Sequence, residues 1–174
     1  MKTVILIISM CSINFLLSCC NKLFPDEKLS IQREDYTGNE LRTDGYYYLQ
    51  EKDYERTIVM FLYRNGIILS GRIYFTLDLN VVEKEMVSKY NELGNEKPYW
   101  GVFTITNNNF EYEQWVAPTE GISVSKNTGY IENNTTFHIT EKFFSYNKTK
   151  YSVNEIWHFK QFANKPDSTN VYIK

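Results

Sequence analysis

Two kinds of patterning meet near residue 40 of this chain. From Leu41 onward, apolar and polar positions alternate with period two in short runs, broken by Asn- and Gly-containing pairs. That alternation is the signature of half-buried strands joined by hairpins. Asn65-Gly66 divides residues 57–64 from 67–73, and an Asn-Gly pair between apolar runs predicts a two-residue turn with both residues at positive φ. Such a turn pairs Arg64 with Ile67 and Leu62 with Leu69. One face then carries Ile58, Met60, Leu62, Ile67, Leu69 and Ile73, the expected core face. The other carries Val59, Phe61, Tyr63, Ile68, Ser70 and Arg72 and is only part apolar.

A second hairpin, residues 100–116, turns at Asn107-Asn108. Pairing Ile105 with Phe110 sets Phe103 opposite Tyr112, whereas a one-residue slip would set Phe103 and Ile105 against glutamates. The opposite face is then Trp100, Val102, Thr104, Glu111, Glu113 and Trp115. Short strands are expected at 130–132 and 135–140, around Asn133-Asn134. A long strand is expected at 152–162, with 171–173 closing the sheet. Between the third strand and the second hairpin the period changes. Leu79, Val82, Met86, Tyr90 and Leu93 recur at helical spacing and predict a helix over 78–93. Asn80 with Glu83 forms a capping pair, Asp78 is the rival cap, and Gly94 is the stop.

About eight hairpin-joined strands with one inserted helix predict a mainly β fold, an antiparallel up-and-down barrel whose closure removes exposed edges. A two-sheet β-sandwich is the alternative. With 174 residues in all, the chain has room for one domain, residues 41–174. Lys and Arg number 19 against 21 Asp and Glu, a net charge of -2, which excludes a general nucleic-acid binder. The 14 Tyr and 11 Phe imply a barrel interior crowded with rings rather than a large open cavity.

All three cysteines, Cys11, Cys19 and Cys20, lie in the first twenty residues, so the remaining chain has neither a disulfide framework nor a cysteine zinc site. That leader has its own logic. Lys2 precedes an uncharged run, residues 3–17, shorter than the ~20 residues of a membrane-spanning helix. It reads as a signal peptide, residues 1–18. Leu16-Leu17-Ser18-Cys19 resembles the bacterial lipobox. The resemblance implies cleavage before Cys19 and acylation of its thiol, with membrane lipid as the partner. An ordinary secretory signal is the rival reading. Residues 19–40, charged and without period, are expected to be a lipidated flexible tether. With Cys20, not an aspartate, after Cys19, the enterobacterial sorting rule points to the outer membrane.

The lipobox, Asp44-Gly45-Tyr46-Tyr47-Tyr48, Arg64-Asn65-Gly66, Gly129-Tyr130-Ile131 and Lys165-Pro166-Asp167-Ser168-Thr169-Asn170 together resemble small Bacteroidota-type lipoproteins with a lipocalin-like barrel. The resemblance covers most of residues 41–173, with Gly45-Tyr46-Tyr47 where lipocalins carry Gly-x-Trp. It implies a fold and an envelope location, and no activity. Asp167-Ser168-Thr169 also resembles the short O-glycosylation motif of envelope proteins of that phylum.

Candidate chemistry is sparse. Glu111 and Glu113 point the same way from one strand, flanked by Trp100 and Trp115. That set reads as a solvated strand face with a cross-strand Trp pair, as a ligand contact, or as a carboxylate pair for glycoside hydrolysis. His138 and His158 sit on separate strands without the partners of a metal or nucleophile site. No phosphate loop, nucleophile elbow or zinc-protease motif occurs. The expectation is a non-enzymatic module with no catalytic residues, cofactor or metal, binding a lipid or other small apolar ligand. The alternatives are a surface that recognises an envelope protein or glycan and, third, a glycoside hydrolase.

Overall fold

A computed structural model describes residues 26–89, 95–118 and 121–174. The leader with Cys19, and residues 90–94 of the expected helix and its stop, lie outside the described residues. Eight strands follow in chain order: β1 Gly45–Glu51, β2 Arg56–Leu62, β3 Ile67–Tyr74, β4 Trp100–Thr106, β5 Asn109–Val116, β6 Ser123–Asn133, β7 Thr136–Phe144 and β8 Thr149–Gln161. Each pairs antiparallel with the next. β1 also pairs with β8, from Gly45 opposite Gln161 to Tyr48 opposite His158, so the sheet is one closed barrel rather than a sandwich. The architecture is the expected up-and-down, lipocalin-like barrel with one helix, α1 (Leu79–Ser88), after β3. β8 closes it, whereas 171–173 was expected to. Tyr172 and Ile173 instead pack on the barrel's outer face.

Local chemistry accounts for the elements. The Asp78 carboxylate caps α1 by accepting from the Asn80 N–H at 2.9 Å, so the rival cap serves. Val82 and Met86 face inward from α1. The Asn107-Asn108 turn has both residues at positive φ, as a two-residue hairpin requires. β4 and β5 pair in the predicted register, Phe103 with Tyr112 and Ile105 with Phe110.

The β2–β3 hairpin departs from its expected register. Tyr63 bonds back to Ile67 (N···O 3.0 Å), which makes Arg64-Asn65-Gly66 a three-residue turn in which only Gly66 takes positive φ, at 76°. Leu62 therefore meets Ile68 rather than Leu69, and Met60 meets Ser70. Ile68 and Ser70 join the face of Met60 and Leu62, while Ile67 and Leu69 turn outward. A bulge between Val59 and Met60, with Gly71 at φ 102°, restores Ile73 opposite Ile58 on the lumen side. The run Ile67-Ile68-Leu69 is apolar at every position and both of its faces are buried, so hydrophobicity could not choose between the registers.

Two cores result. One draws buried residues from all eight strands, among them Tyr47, Met60, Phe103, Phe110, Phe137 and Trp157, and fills the lumen. The other lies outside the barrel wall, where α1 covers Tyr46, Val59, Phe61 and Tyr74. Residues 26–40, expected as a free tether, form part of that outer layer. The Glu27 N–H donates to Ile122 O at 3.0 Å and the Tyr36 N–H to Arg64 O at 2.7 Å, so the segment runs down the wall from one end to the other.

Candidate functional site

The two ends of the lumen are built differently. At the end holding the β2–β3, β4–β5 and β6–β7 turns, rings fill the interior. Phe137 lies 4.6 Å from Phe110, 5.0 Å from Tyr47 and 5.8 Å, near-parallel, from Trp157 (centroids). Below them Leu41 is buried, and its N–H donates to the Tyr36 hydroxyl at 2.7 Å. The Tyr47 hydroxyl closes the layer, accepting from the Arg42 N–H at 3.0 Å and donating to Asn134 O at 3.1 Å. Burial raises its pKa, so it stays a neutral donor. This end is a plug.

Above the plug the lumen wall splits into two chemistries. On β1–β3 the inward positions are Leu49, Ile58 and Ile73, paired across the strands. On β5–β8 they include Tyr112, Gln114, Asn127, Lys142 and Glu155, by the pairing of Tyr112 with Asn127, Asn127 with Lys142 and Ile139 with Glu155, with the apolar Val153 and Phe144 beside them. Lys142 Nζ and Glu155 Oε1 form an ion pair at 2.6 Å, with 23% and 16% of the side chains exposed. The Trp157 indole N–H points up from the plug toward Glu155 Oε2 at 3.4 Å. Tyr112 is buried beside this pair. Its hydroxyl pKa is raised, first by burial and then by the Glu155 carboxylate, which keeps it protonated. Asn127 Nδ2 donates to Ser125 Oγ at 3.0 Å, and Gln114 Nε2 donates to Ser70 O and Pro98 O at 3.3 and 3.2 Å.

Exposure rises toward this second end. Phe110 and Phe137 in the plug are fully buried, but Ile73 is 38% exposed, and Ile58 and Val153 are partly so. The upper lumen is thus less tightly closed than the plug, apolar on one wall and mainly polar on the other. Its paired charges cancel, which suits a neutral or amphipathic guest better than a strong ion.

The four residues singled out from sequence do not form an exposed patch. Trp100 is fully buried and Trp115 is 6% exposed. The Trp115 indole N–H donates to Glu27 O at 2.8 Å, and the Lys97 ammonium lies 4.7 Å from its ring. Glu113, 3% exposed, accepts from the Ser30 N–H and hydroxyl at 2.5 Å each and from the Ile31 N–H at 3.0 Å. Glu111 is on the surface, 3.2 Å from Lys126 Nζ. A glycoside hydrolase needs both carboxylates in one cleft. Here one is sealed under residues 30–31 and the other pairs with a lysine, so the two glutamates are not brought together in an open cleft. What remains on this wall is an open groove of about 490 Å³, lined by Leu29, Lys97, Val102, Trp115 and Tyr172 among others.

His138 stacks on Tyr130 (4.7 Å, 7°) and contacts the Glu132 carboxylate at 2.8 Å, while His158 is exposed beside Tyr48. Among the described residues no group of three or more His, Cys, Asp and Glu side chains is placed to hold a metal, and no helix is long and apolar enough to cross a membrane.

Sequence reasoning missed Tyr112, Asn127, Lys142 and Glu155 as a set. A signal was present: Ser123, Ser125 and Asn127 recur at period two with polar character, the mark of a strand with a polar inner face. No protein-family model, curated protein or solved structure matches this chain.

Proposed function

We propose that this chain is a bacterial envelope lipoprotein, held at the outer membrane by acylated Cys19, whose barrel binds a small lipid-like molecule without catalysis. The observation that carries the binding reading is the two-sided lining of the lumen above the plug, which we take as a recess for a guest. There an apolar wall (Leu49, Ile58, Ile73) faces a few polar groups (Asn127, Lys142, Glu155), and Ile73 and the ion pair are partly exposed. Ligand sites have this composition, apolar for affinity with a few polar groups for orientation. The guest's hydrocarbon lies on β1–β3 and its polar end meets the ion pair. Cys19 carries the anchoring half of the proposal, on the lipobox pattern of the leader.

Anilinonaphthalene sulfonate, with an apolar ring system and one polar end, is a suitable probe. Its emission rises on saturable one-to-one binding, and Ile73→Glu weakens that binding about tenfold, because a carboxylate on the apolar wall must be desolvated against the rings. No saturable binding, or binding indifferent to the substitution, refutes a recess-bound ligand.

A further inference from the structure

Exposed apolar side chains gather at the mouth. Tyr54, 68% exposed, sits on the β1–β2 connection; Phe75, 82% exposed, and Leu77 follow β3; Tyr146 and Tyr151 flank the β7–β8 turn. The opposite end of the barrel shows polar turns, Arg64-Asn65, Asn107-Asn108 and Asn134-Thr135, with Tyr130, stacked on His138, beside them. Solvated loops gain nothing from a ring of exposed aromatics, and a patch of this kind marks an interaction surface.

The path of the chain says what lies against it. Glu27 is fixed at the mouth: its N–H bonds to Ile122 O, and its carboxylate accepts from the Val124 N–H at 2.9 Å and from the Ser145 hydroxyl. Eight residue-to-residue steps separate Cys19 from Glu27, a reach of at most about 29 Å even fully extended. The far end lies another barrel height away, about 28 Å for the 11 residues of β6 at ordinary rise and tilt. Charge gives no rival steer, since Lys52 and Lys148 at the rim are offset by Asp53 and Glu55. Lys150 is paired with Glu141 at 2.9 Å. Insertion of rings, not attraction to headgroup charge, is what this rim can do, and tyrosine and other aromatics suit the headgroup layer.

We infer that the mouth of the barrel rests on the bilayer that holds Cys19, with Tyr54, Phe75, Leu77, Tyr146 and Tyr151 in the headgroup layer. The inference rests on the reading of Cys19 as the acylated anchor. In this pose the recess opens onto lipid rather than onto bulk water, and a guest passes between membrane and barrel without crossing solvent.

The test uses the full-length acylated protein in vesicles of phosphatidylethanolamine and phosphatidylglycerol doped with a phospholipid brominated close to its headgroup. Phe75→Trp at the mouth loses emission to the brominated lipid relative to the unsubstituted chain, and Asn108→Trp at the far turn does not. Equal loss at both positions, or no added loss at 75, overturns the pose. Intact mass of the same sample reports acylation of Cys19 separately. Without acyl chains the anchor reading fails by itself, and quenching at 75 on the added vesicles still decides the rim's contact. Tyr146→Trp repeats the measurement should Phe75→Trp fold poorly.

Discussion

Glu113 shows how one side chain can fasten a whole segment. Its carboxylate takes three hydrogen bonds from Ser30 and Ile31, and bonds to an ionised acceptor are the strong class. Glu113→Gln substitutes an amide N–H₂ for one acceptor oxygen and sets it against donors. The expected cost is about 2 kcal/mol, borne locally. Amide hydrogen exchange at Ser30 and Ile31 accelerates, while exchange in the Phe110–Phe137 plug stays slow. Unchanged protection at 30–31 would show that the outer apolar contacts alone hold the segment. From sequence, Glu111 and Glu113 were equivalent members of an alternating strand. What separates them is residues 26–40, whose docking leaves no periodic trace because an extended segment on a wall needs only occasional contacts such as Leu29 and Tyr36.

Among the elements, hairpins were legible where one face alone was buried. The β4–β5 register followed from the cost of setting rings against glutamates, and it is the register found. β2–β3 was not legible in the same way, since α1 and the lumen bury both sides of Ile67-Ile68-Leu69. Its turn is decided by tertiary contact. A Cβ on Gly66 would stand 2.0 Å from Glu34 O, and the residue sits at φ 76°. Gly66→Ala therefore pays the left-handed penalty of about 1–2 kcal/mol and displaces the 34–36 segment as well. A lowered midpoint in chemical denaturation checks this; an unchanged midpoint would mean that position 66 accepts a Cβ and that Glu34 does not crowd the turn. The first half of β6 and the second half of β7 escaped notice because, Phe144 apart, their inward positions are Ser125, Asn127 and Lys142, and a mainly polar face writes no hydrophobic alternation.

At the scale of the molecule, the tyrosine excess links composition to stability. Burial raises the hydroxyl pKa of Tyr46, Tyr47, Tyr74 and Tyr112 above 10.0, that of Tyr74 to about 12. Below pH 10 these groups are protonated both folded and unfolded, and their contribution is intact. Above it the unfolded chain sheds protons that the folded barrel retains, so stability falls as pH climbs through the folded values. The tyrosinate absorbance of these buried rings and the loss of the near-ultraviolet circular dichroism should then rise together in one cooperative alkaline transition. Titration of all 14 tyrosines by pH 10 with the signal intact would contradict a core closed by rings. The barrel itself was readable from strand count and hairpin spacing, but its division into plug and recess was not, since it depends on which strand ends meet across the lumen.

The central claim is that the recess above the plug holds a small lipid-like guest. Native mass spectrometry of the full-length protein extracted from its own membrane in mild detergent tests it most directly. The account predicts a discrete added mass, separate from the covalent acyl chains, that is present in the parent chain and absent in Ile73→Glu. A bare acylated mass from the parent, or an adduct retained equally by both chains, would contradict it.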